Sequence, residues 1–119
     1  MESSAAASTA AQMGEITPLA GATFEHFVKG SPAALVLFGW DKLPDCRRAK
    51  AALSQAIADL KSSIPIGSLD FMENLSLCES LGLRTVPCLI AWQNGKLFSR
   101  LSGSIDAAAL RGIIKSLAQ

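Results

Sequence analysis

The sequence predicts an α/β protein in which a central mixed sheet of about five strands is flanked by four helices, in the order βαβαβαββα. Extended and helical patterns alternate over most of the chain, one strand is apolar throughout, and an Asn-Gly pair separates two apolar runs near the C-terminus. Alternating strands and helices are typical of parallel sheets, whereas Asn-Gly between apolar runs indicates an antiparallel hairpin. A mixed sheet covered by helices on both faces follows from the two together.

The first part of the chain predicts a strand, a short helix and a second strand. Residues 16–19 (ITPL) are typical of a short edge strand, where a proline is tolerated. Residues 23–29 (TFEHFVK) carry apolar residues at i, i+3 and i+4, and Gly30 and Pro32 end this helix. Residues 33–38 (AALVLF) are apolar without a break, which indicates a strand covered on both faces.

The clearest helix of the sequence runs from Pro44 to about Ser62, and a strand from Ile64 to Phe71 follows it. Pro44 suits the first turn of a helix, and the carboxylate of Asp45 is favourable at its positive end. One apolar stripe follows this helix and consists of Cys46, Ala49, Leu53, Ala56, Ile57 and Leu60. The stripe predicts that one side of the helix packs against the sheet.

A third helix is predicted to begin after Asn74, whose side chain can cap its first turn. Its apolar residues are Leu75, Cys78 and Leu81. Gly82 is expected to close this helix in the left-handed conformation that favours glycine. The segment therefore predicts a short helix that leads into the next strand.

The C-terminal part predicts a β-hairpin and a final helix. Residues 88–92 (CLIAW) and 96–101 (KLFSRL) flank Asn94-Gly95, and Asn-Gly between apolar runs is the strongest short-range hairpin signal. Ser104 can cap the last helix. The predicted buried face of that helix consists of Leu110, Ile113, Ile114 and Leu117.

The length of 119 residues predicts one domain, and we divide the chain into a flexible tail, residues 1–15, and a domain, residues 16–119. Residues 1–15 are rich in serine and alanine and lack the basic and apolar stretches of a secretory signal. We therefore expect a cytoplasmic protein. No apolar run approaches the length of about 18 residues that a membrane span requires, so no membrane partner is expected.

Charge and composition limit the partners further. Lys and Arg number 11 against 10 Asp and Glu, a net charge of +1, so there is no general positive field for nucleic acid. The single histidine, His26, and three scattered cysteines do not have the spacing of a zinc site. We expect no metal and no cofactor. A protein or peptide remains as the partner class, and the sequence leaves the oligomeric state open.

Several landmarks of the domain resemble those of thioredoxin. They are Phe38 at the end of an apolar strand, Pro44 and Cys46 in the first turn of the next helix, Pro87 at the end of GLRTVP, Asn94-Gly95 in the hairpin and Gly103 after the last strand. The spacings between these landmarks match the family without a gap. The resemblance covers nearly all of residues 16–119 and implies a thioredoxin fold in which Pro87 is a cis-proline.

The active-site turn departs from the thioredoxin pattern. Where the family has Trp-Cys-Gly-Pro-Cys, residues 42–46 are KLPDC, so LPDC stands in place of CGPC. The resemblance implies that Leu43 replaces the attacking cysteine and that Cys46 is the second, resolving one. It also implies that Leu37 and Ser68 replace the family's buried acid and its partner lysine. A dithiol cycle needs one thiol to attack and another to resolve the mixed disulfide, and this turn supplies one.

Cys46 is the first candidate for a remaining redox thiol. The positive end of a helix and the nearby Arg47 and Arg48 favour a thiolate at this position. Its place on the apolar stripe predicts burial, which favours the neutral thiol and blocks access. A small hydrophobic residue of the core is therefore the alternative interpretation.

Cys88 and Cys78 are weaker candidates. Cys88 follows Pro87, and the resemblance implies that residues around this proline lie against the active-site turn, so a redox pair with Cys46 is one hypothesis. Burial at the start of a strand is the alternative for Cys88. Cys78 lies among the apolar residues of the third helix, which predicts core packing. A contact of Cys78 with Cys88 is a further alternative, and the sequence does not choose among the three pairings.

The resemblance also implies a surface for partners, which we call the docking surface, formed by Trp40, Leu43, Val86 and Pro87. In the family, the backbone beside the cis-proline pairs with an extended peptide of the partner, so Val86 is expected to line this surface. Trp40 is expected there too, or packed over the sheet edge. A modest basic patch lies nearby and consists of Lys42, Arg47, Arg48 and Lys50. It is either a solvated helix face or a means of selecting an acidic partner.

These features predict a thioredoxin-like binding or assembly module that uses the docking surface. Thioredoxin-like hydrogenase-assembly chaperones, which also lack the CxxC motif, illustrate this use of the fold. The alternative is an enzyme, a thiol–disulfide oxidoreductase of cell redox homeostasis that acts through Cys46, with or without Cys88. A third hypothesis is a redox sensor that dimerises through an exposed thiol.

Overall fold

A computed structural model describes residues 16–103 and 105–118 of the chain. Within them, the elements follow the predicted order βαβαβαββα. The strands are β1 (Thr17–Leu19), β2 (Ala33–Gly39), β3 (Ile66–Asp70), β4 (Cys88–Gln93) and β5 (Lys96–Ser102). The helices are α1 (Gly21–Lys29), α2 (Pro44–Leu60), α3 (Leu75–Ser80) and α4 (Ala107–Ala118). The tail predicted for residues 1–15 lies outside the described residues.

The strands form one mixed sheet in the order β1–β3–β2–β4–β5, which confirms the predicted α/β class. β1, β3 and β2 run parallel, whereas β4 runs antiparallel to both β2 and β5. The carboxyl ends of the parallel strands therefore meet at one end of the sheet. The register pairs Phe38 at the end of β2 with Cys88 at the start of β4. This pairing brings the segments around residues 40–46 and 86–87 to the same end of the sheet.

Side chains of the sheet alternate between two faces, and each face packs against its own pair of helices. On the α2–α4 face, the fully buried residues include Leu35, Leu53, Ile57, Leu89, Leu110 and Ile114. On the α1–α3 face, the buried residues include Phe24, Val36, Phe38, Cys78, Cys88 and Trp92. The rings of Phe24 and Trp92 meet edge to face with centroids 5.3 Å apart, a favourable aromatic geometry.

Helix α2 begins where predicted and ends two residues earlier than predicted. Leu43 precedes it with an extended backbone, and Pro44 occupies the first helical position, where its missing N–H costs no hydrogen bond. The predicted stripe faces the core, since Cys46, Ala49, Leu53, Ala56 and Ile57 are buried. Lys61 adopts the left-handed conformation with φ 51° and ends the helix before Ser62.

Two predicted turns are confirmed by the backbone angles. Gly82 has φ +74° just beyond α3, where a left-handed residue commonly closes a helix. Asn94 and Gly95 have φ values of 54° and 80° and join β4 to β5. Positive φ at both positions is the geometry that two-residue hairpin turns prefer, because its twist matches that of the strands.

One prediction for α3 was wrong. The side chain of Asn74 does not cap the helix. Its Oδ1 accepts the N–H of Gly21 at 3.0 Å, and its Nδ2 donates to the carbonyl of Asp70 at 2.8 Å. The bond to Gly21, which is distant in the sequence, takes the place of the local cap. Leu75 is 50% exposed, because α3 is only six residues long and Cys78 is its buried residue.

Several element boundaries also differ from the predictions. α1 begins at Gly21 rather than Thr23, whose Oγ1 accepts the N–H of Ala20 at 3.0 Å. β3 is shorter than residues 64–71. Ser104, the predicted cap of α4, lies outside the described residues; Oδ1 of Asp106 accepts the N–H of Ala109 at 2.9 Å and so caps the helix. Among the described helices, none is long and apolar enough to span a membrane.

Candidate functional site

The chain leaves β2 and turns through residues 40–43 before α2 begins. The N–H of Leu43 donates to the carbonyl of Trp40 at 2.9 Å and closes this turn. The N–H groups of Cys46 and Arg47 donate to the carbonyl of Leu43 at 3.1 and 3.2 Å. The turn therefore leads directly into the first turn of the helix, and Trp40 and Leu43 are half-buried there.

The Cys46 thiol lies beneath this turn and is 3% exposed. Gly39 makes room for it, because a Cβ atom at Gly39 would lie 3.3 Å from both Cβ and Sγ of Cys46. Cys46 is the third residue of α2, near the N–H groups that carry the positive end of the helix dipole. The thiol therefore lies at a helix N-terminus, and the turn that precedes the helix covers it.

A crevice of about 290 Å³ reaches the Cys46 side chain from the carboxyl ends of β1, β2 and β3, and we call it the thiol crevice. Its lining includes Leu37, Asp41, Cys46, Lys50, Ser68 and Asp70. Leu37 and Ser68 lie where the thioredoxin resemblance places the family's buried acid and lysine. Clefts at the carboxyl ends of parallel strands are common ligand sites in α/β proteins.

Val86 and Pro87 border the first turn of α2 from the other side. The peptide bond between them is cis, as the resemblance implies. Pro87 is buried, whereas Val86 is half-buried. Both line a second crevice of about 650 Å³, which we call the docking crevice. Its lining also includes Asp45, Arg48, Ala49, Ala52, Ile105 and Asp106.

The structure brings together only part of the docking surface in one crevice. Val86 and Pro87 meet the first turn of α2 in the docking crevice, while Trp40 and Leu43 belong to the adjoining turn and do not line it. The backbone N–H and carbonyl of Val86 form no hydrogen bond with any described residue.

Cations surround this region. Lys42 lies over the face of Trp40, with Nζ 5.7 Å from the ring centroid, a cation–π contact. Arg47 donates from Nη1 to the carbonyl of Asp41 at 2.7 Å. Arg48 forms an ion pair with Asp45, and the side chains of both are largely exposed. The basic patch predicted from the sequence is thus only partly neutralised.

Cys78 and Cys88 lie apart from Cys46, on the α1–α3 face, and each is 1% exposed. Burial raises the pKa of the Cys78 thiol, and the nearby Cys88 raises it further. Burial also raises the pKa of Cys88, against a smaller lowering by Arg100. All three cysteines are free thiols. The alternation of β4 thus turns Cys88 away from the stripe of α2 that carries Cys46 and toward Cys78.

Metal ligands are scattered in the described part of the chain. No group of three or more His, Cys, Asp or Glu side chains is placed there to hold a metal ion. His26 is exposed on α1. The chemistry of the site thus consists of one covered thiol, a free backbone segment beside Pro87 and a group of cations.

Comparison with known proteins agrees with this geometry. The family model described as Thioredoxin matches residues 15–116, and the chain belongs to that family. No curated protein matches the chain.

Solved thioredoxins share the fold. One from Halobacterium salinarum is 21% identical with a TM-score of 0.70, over 87% of this chain and 92% of that one. Oxidised thioredoxin from Plasmodium falciparum is 16% identical with a TM-score of 0.77, over 88% and 100%. Thioredoxin from Trypanosoma brucei brucei is 11% identical with a TM-score of 0.78, over 89% and 93%. At these identities the likeness concerns the fold alone.

Sequence analysis did not identify the thiol crevice. Two of its residues carry a signal in the sequence. Lys50 follows Cys46 by four residues, which places both on one side of a helix. Asp70 ends β3, the parallel neighbour of β2, and parallel strands bring their carboxyl ends to the same end of the sheet. Gly39 carries no such signal, because its role depends on the position of the Cys46 side chain.

Proposed function

We propose that this protein is a binding or assembly module that holds an extended segment of a partner protein on its docking surface. The observation that carries the proposal is the backbone of Val86, which makes no hydrogen bond within the described part of the chain and lies beside a turn that carries Leu43 where the family has its exposed thiol. A cytoplasmic location, expected from residues 1–15, is part of the proposal.

Binding of this kind combines two interactions. The N–H and carbonyl of Val86 would pair with the backbone of the partner, as when a peptide adds to the edge of a sheet. Leu43 and Trp40 would offer apolar contact, since both side chains are half-buried and thus partly accessible. A leucine at position 43 provides apolar area without the chemistry of a thiol, and the partner can dissociate without a redox step.

Capture of partners by tagged protein tests this proposal. We expect Leu43→Asp to abolish capture, because it places a charge at the centre of the apolar contact. Leu97→Asp is the matched control, since Leu97 is 56% exposed on β5, the far edge of the sheet. Circular dichroism would establish that both variants fold. Unchanged capture by Leu43→Asp, or equal loss in both variants, would contradict the choice of surface.

A second candidate function is thiol–disulfide exchange through Cys46, and the thiol crevice favours it because the crevice reaches this side chain. A mixed disulfide could form at Cys46, but Cys88 lies on the other face of the sheet and is poorly placed to resolve it. Insulin reduction with dithiothreitol, on wild type and Cys46→Ser, separates the two functions. The binding proposal expects equal rates in both. Rapid reduction that disappears in Cys46→Ser would overturn it.

A further inference from the structure

Unpaired cations flank the docking surface on two sides. Lys42 and Arg47 belong to the turn and to the first turn of α2, and Arg84 precedes Val86 by two residues. None of the three forms an ion pair with a described residue. Arg84 is exposed, and the hydrogen bond of Arg47 goes to a neutral carbonyl. Three positive charges therefore remain around the backbone that a partner would pair with.

Most acidic groups of the same region lie next to cations of their own or on the other side of Cys46. Asp45 pairs with Arg48. Asp106 caps α4 by accepting the N–H of Ala109, a hydrogen bond that does not offset the formal charge of its carboxylate. Asp41 lines the thiol crevice together with Lys50, on the other side of Cys46. Glu79 lines a separate crevice beside Arg84 without forming an ion pair with it. Around the docking surface, three unpaired cations therefore stand against two carboxylates without an ion pair to a described residue, those of Asp106 and Glu79, which leaves a small positive excess.

We propose that the partner segment is an extended acidic peptide with an apolar centre. This inference rests on the proposed function, and it adds the chemistry of the partner. The apolar centre would contact Leu43 and Val86, and flanking carboxylates would meet Lys42 on one side and Arg84 on the other. Complementary charge speeds encounter, and the surface rejects partners that carry a charge of the same sign as its own. A peptide fits better than a nucleic acid because the free N–H and carbonyl of Val86 match a peptide backbone.

Nuclear magnetic resonance titration of the ¹⁵N-labelled full chain tests the inference with defined probes. One probe is a capped peptide with a Leu-Val-Leu centre flanked by pairs of Asp and Glu residues, and its counterpart carries Lys and Arg at the flanks. We expect the acidic peptide to shift the amide of Val86 and the indole N–H of Trp40, and to bind at least about tenfold more tightly than the basic one. Its affinity should fall as NaCl rises, since salt screens exposed charges.

Charge reversal identifies the cations responsible. We expect Lys42→Glu and Arg84→Glu each to weaken the acidic peptide about two- to tenfold, because each replaces an attraction by a repulsion at an exposed site. Lys96→Glu is the control, since Lys96 is an exposed cation beside the hairpin, at the end of β4 away from Cys88. It makes the same change in net charge and should leave binding unaltered.

The outcomes separate the inference from the proposed function. Equal binding of both peptides at Val86 would overturn the charge selection and leave the binding module intact. Absence of any shift at Val86 with either peptide would overturn both. An oligothymidine probe that shifts the same residues and competes with the acidic peptide would show that the cations serve nucleic acid, and the inference would fail. Equal weakening by Lys96→Glu would contradict a local role for Lys42 and Arg84.

Discussion

On the α2–α4 face of the sheet, Cys46 lies at the inner end of the thiol crevice, whereas on the α1–α3 face Cys78 and Cys88 lie in a closed apolar cluster. All three side chains are nearly inaccessible, at 3% exposure or less. Their surroundings differ, because the crevice at Cys46 is also lined by charged residues while the other two thiols meet aromatic and aliphatic side chains. Exposed area alone does not distinguish these sites.

The two faces of the sheet differ in how completely they enclose their thiol groups. The α1–α3 face is closed by Phe24, Phe38 and Trp92, and burial there keeps Cys78 and Cys88 protonated. On the α2–α4 face, Cys46 lies at the end of the sheet where the parallel strands end and α2 begins. The packing at this end leaves the thiol crevice. We therefore expect thiol reagents of small size to reach Cys46 before the other two.

The largest effect is expected from Phe38→Ala, which opens the closed face. Phe38 is fully buried, and its ring lies 6.0 Å from that of Phe24. We expect the free energy of unfolding to fall by about 3–5 kcal/mol, as for other buried phenylalanines. Urea unfolding measures it. Phe98→Ala is the matched control, because Phe98 is 40% exposed on β5, and its effect should remain below about 0.5 kcal/mol. Similar losses of unfolding free energy in both variants would contradict the close packing of the α1–α3 face around Phe38.

Raising the pH is expected to destabilise the protein through the same face. Below the ordinary thiol pKa of about 8.5, the folded and unfolded chains both keep the thiol protons. Above it, the unfolded chain loses protons that Cys78 and Cys88 retain when folded, because burial raises their pKa. The free energy of unfolding should therefore fall with rising pH, by at most about 1.4 kcal/mol per pH unit for each thiol.

Urea midpoints between about pH 7.5 and 9.5 would measure this slope, a range set by the thiol pKa and by the higher pKa of lysine. Cys78→Ala should make the slope shallower, whatever its effect on stability at neutral pH. A slope unchanged in Cys78→Ala would show that the titration comes from elsewhere in the chain.

The smallest effect concerns the turn that closes α3 beside Cys78. Gly82 has φ +74°, so Gly82→Ala should cost about 1–2 kcal/mol, because a Cβ is unfavourable in the left-handed conformation. Gly112→Ala is a control of opposite sign on the other face. Gly112 lies within α4, and a Cβ there meets nothing within 4 Å, so the variant should gain up to about 1 kcal/mol. Thermal unfolding of both variants measures the two changes in stability. Changes of the same sign would contradict this prediction.

Local patterns were enough for most of the fold. The order of elements, the apolar strand β2, the stripe of α2 and the Asn94-Gly95 turn depend on neighbouring residues, and all four are confirmed. Predictions were wrong where a distant group competed with a local one. Asn74 is the clearest case, because it bonds to Gly21 and Asp70 in place of its own helix.

The candidate site was likewise indicated by the sequence only in part. The sequence indicated Cys46, Leu43 and the segment around Pro87, because the spacing of these residues along the chain resembles that of thioredoxin. It did not indicate the thiol crevice, which exists because the ends of three strands meet beside α2.

By itself, the sequence determined the class of fold, its element order and the presence of a leucine where the thioredoxin pattern has its attacking cysteine. Only the tertiary structure decided which side of the sheet each cysteine occupies. It also decided that, among residues 16–103 and 105–118, the cations beside the docking surface have no ion-pair partner and the backbone of Val86 has no hydrogen bond. The physical reason is the distance along the chain over which each kind of interaction acts. Propensity and turn geometry act between near neighbours, whereas burial and charge balance depend on groups that only folding brings together.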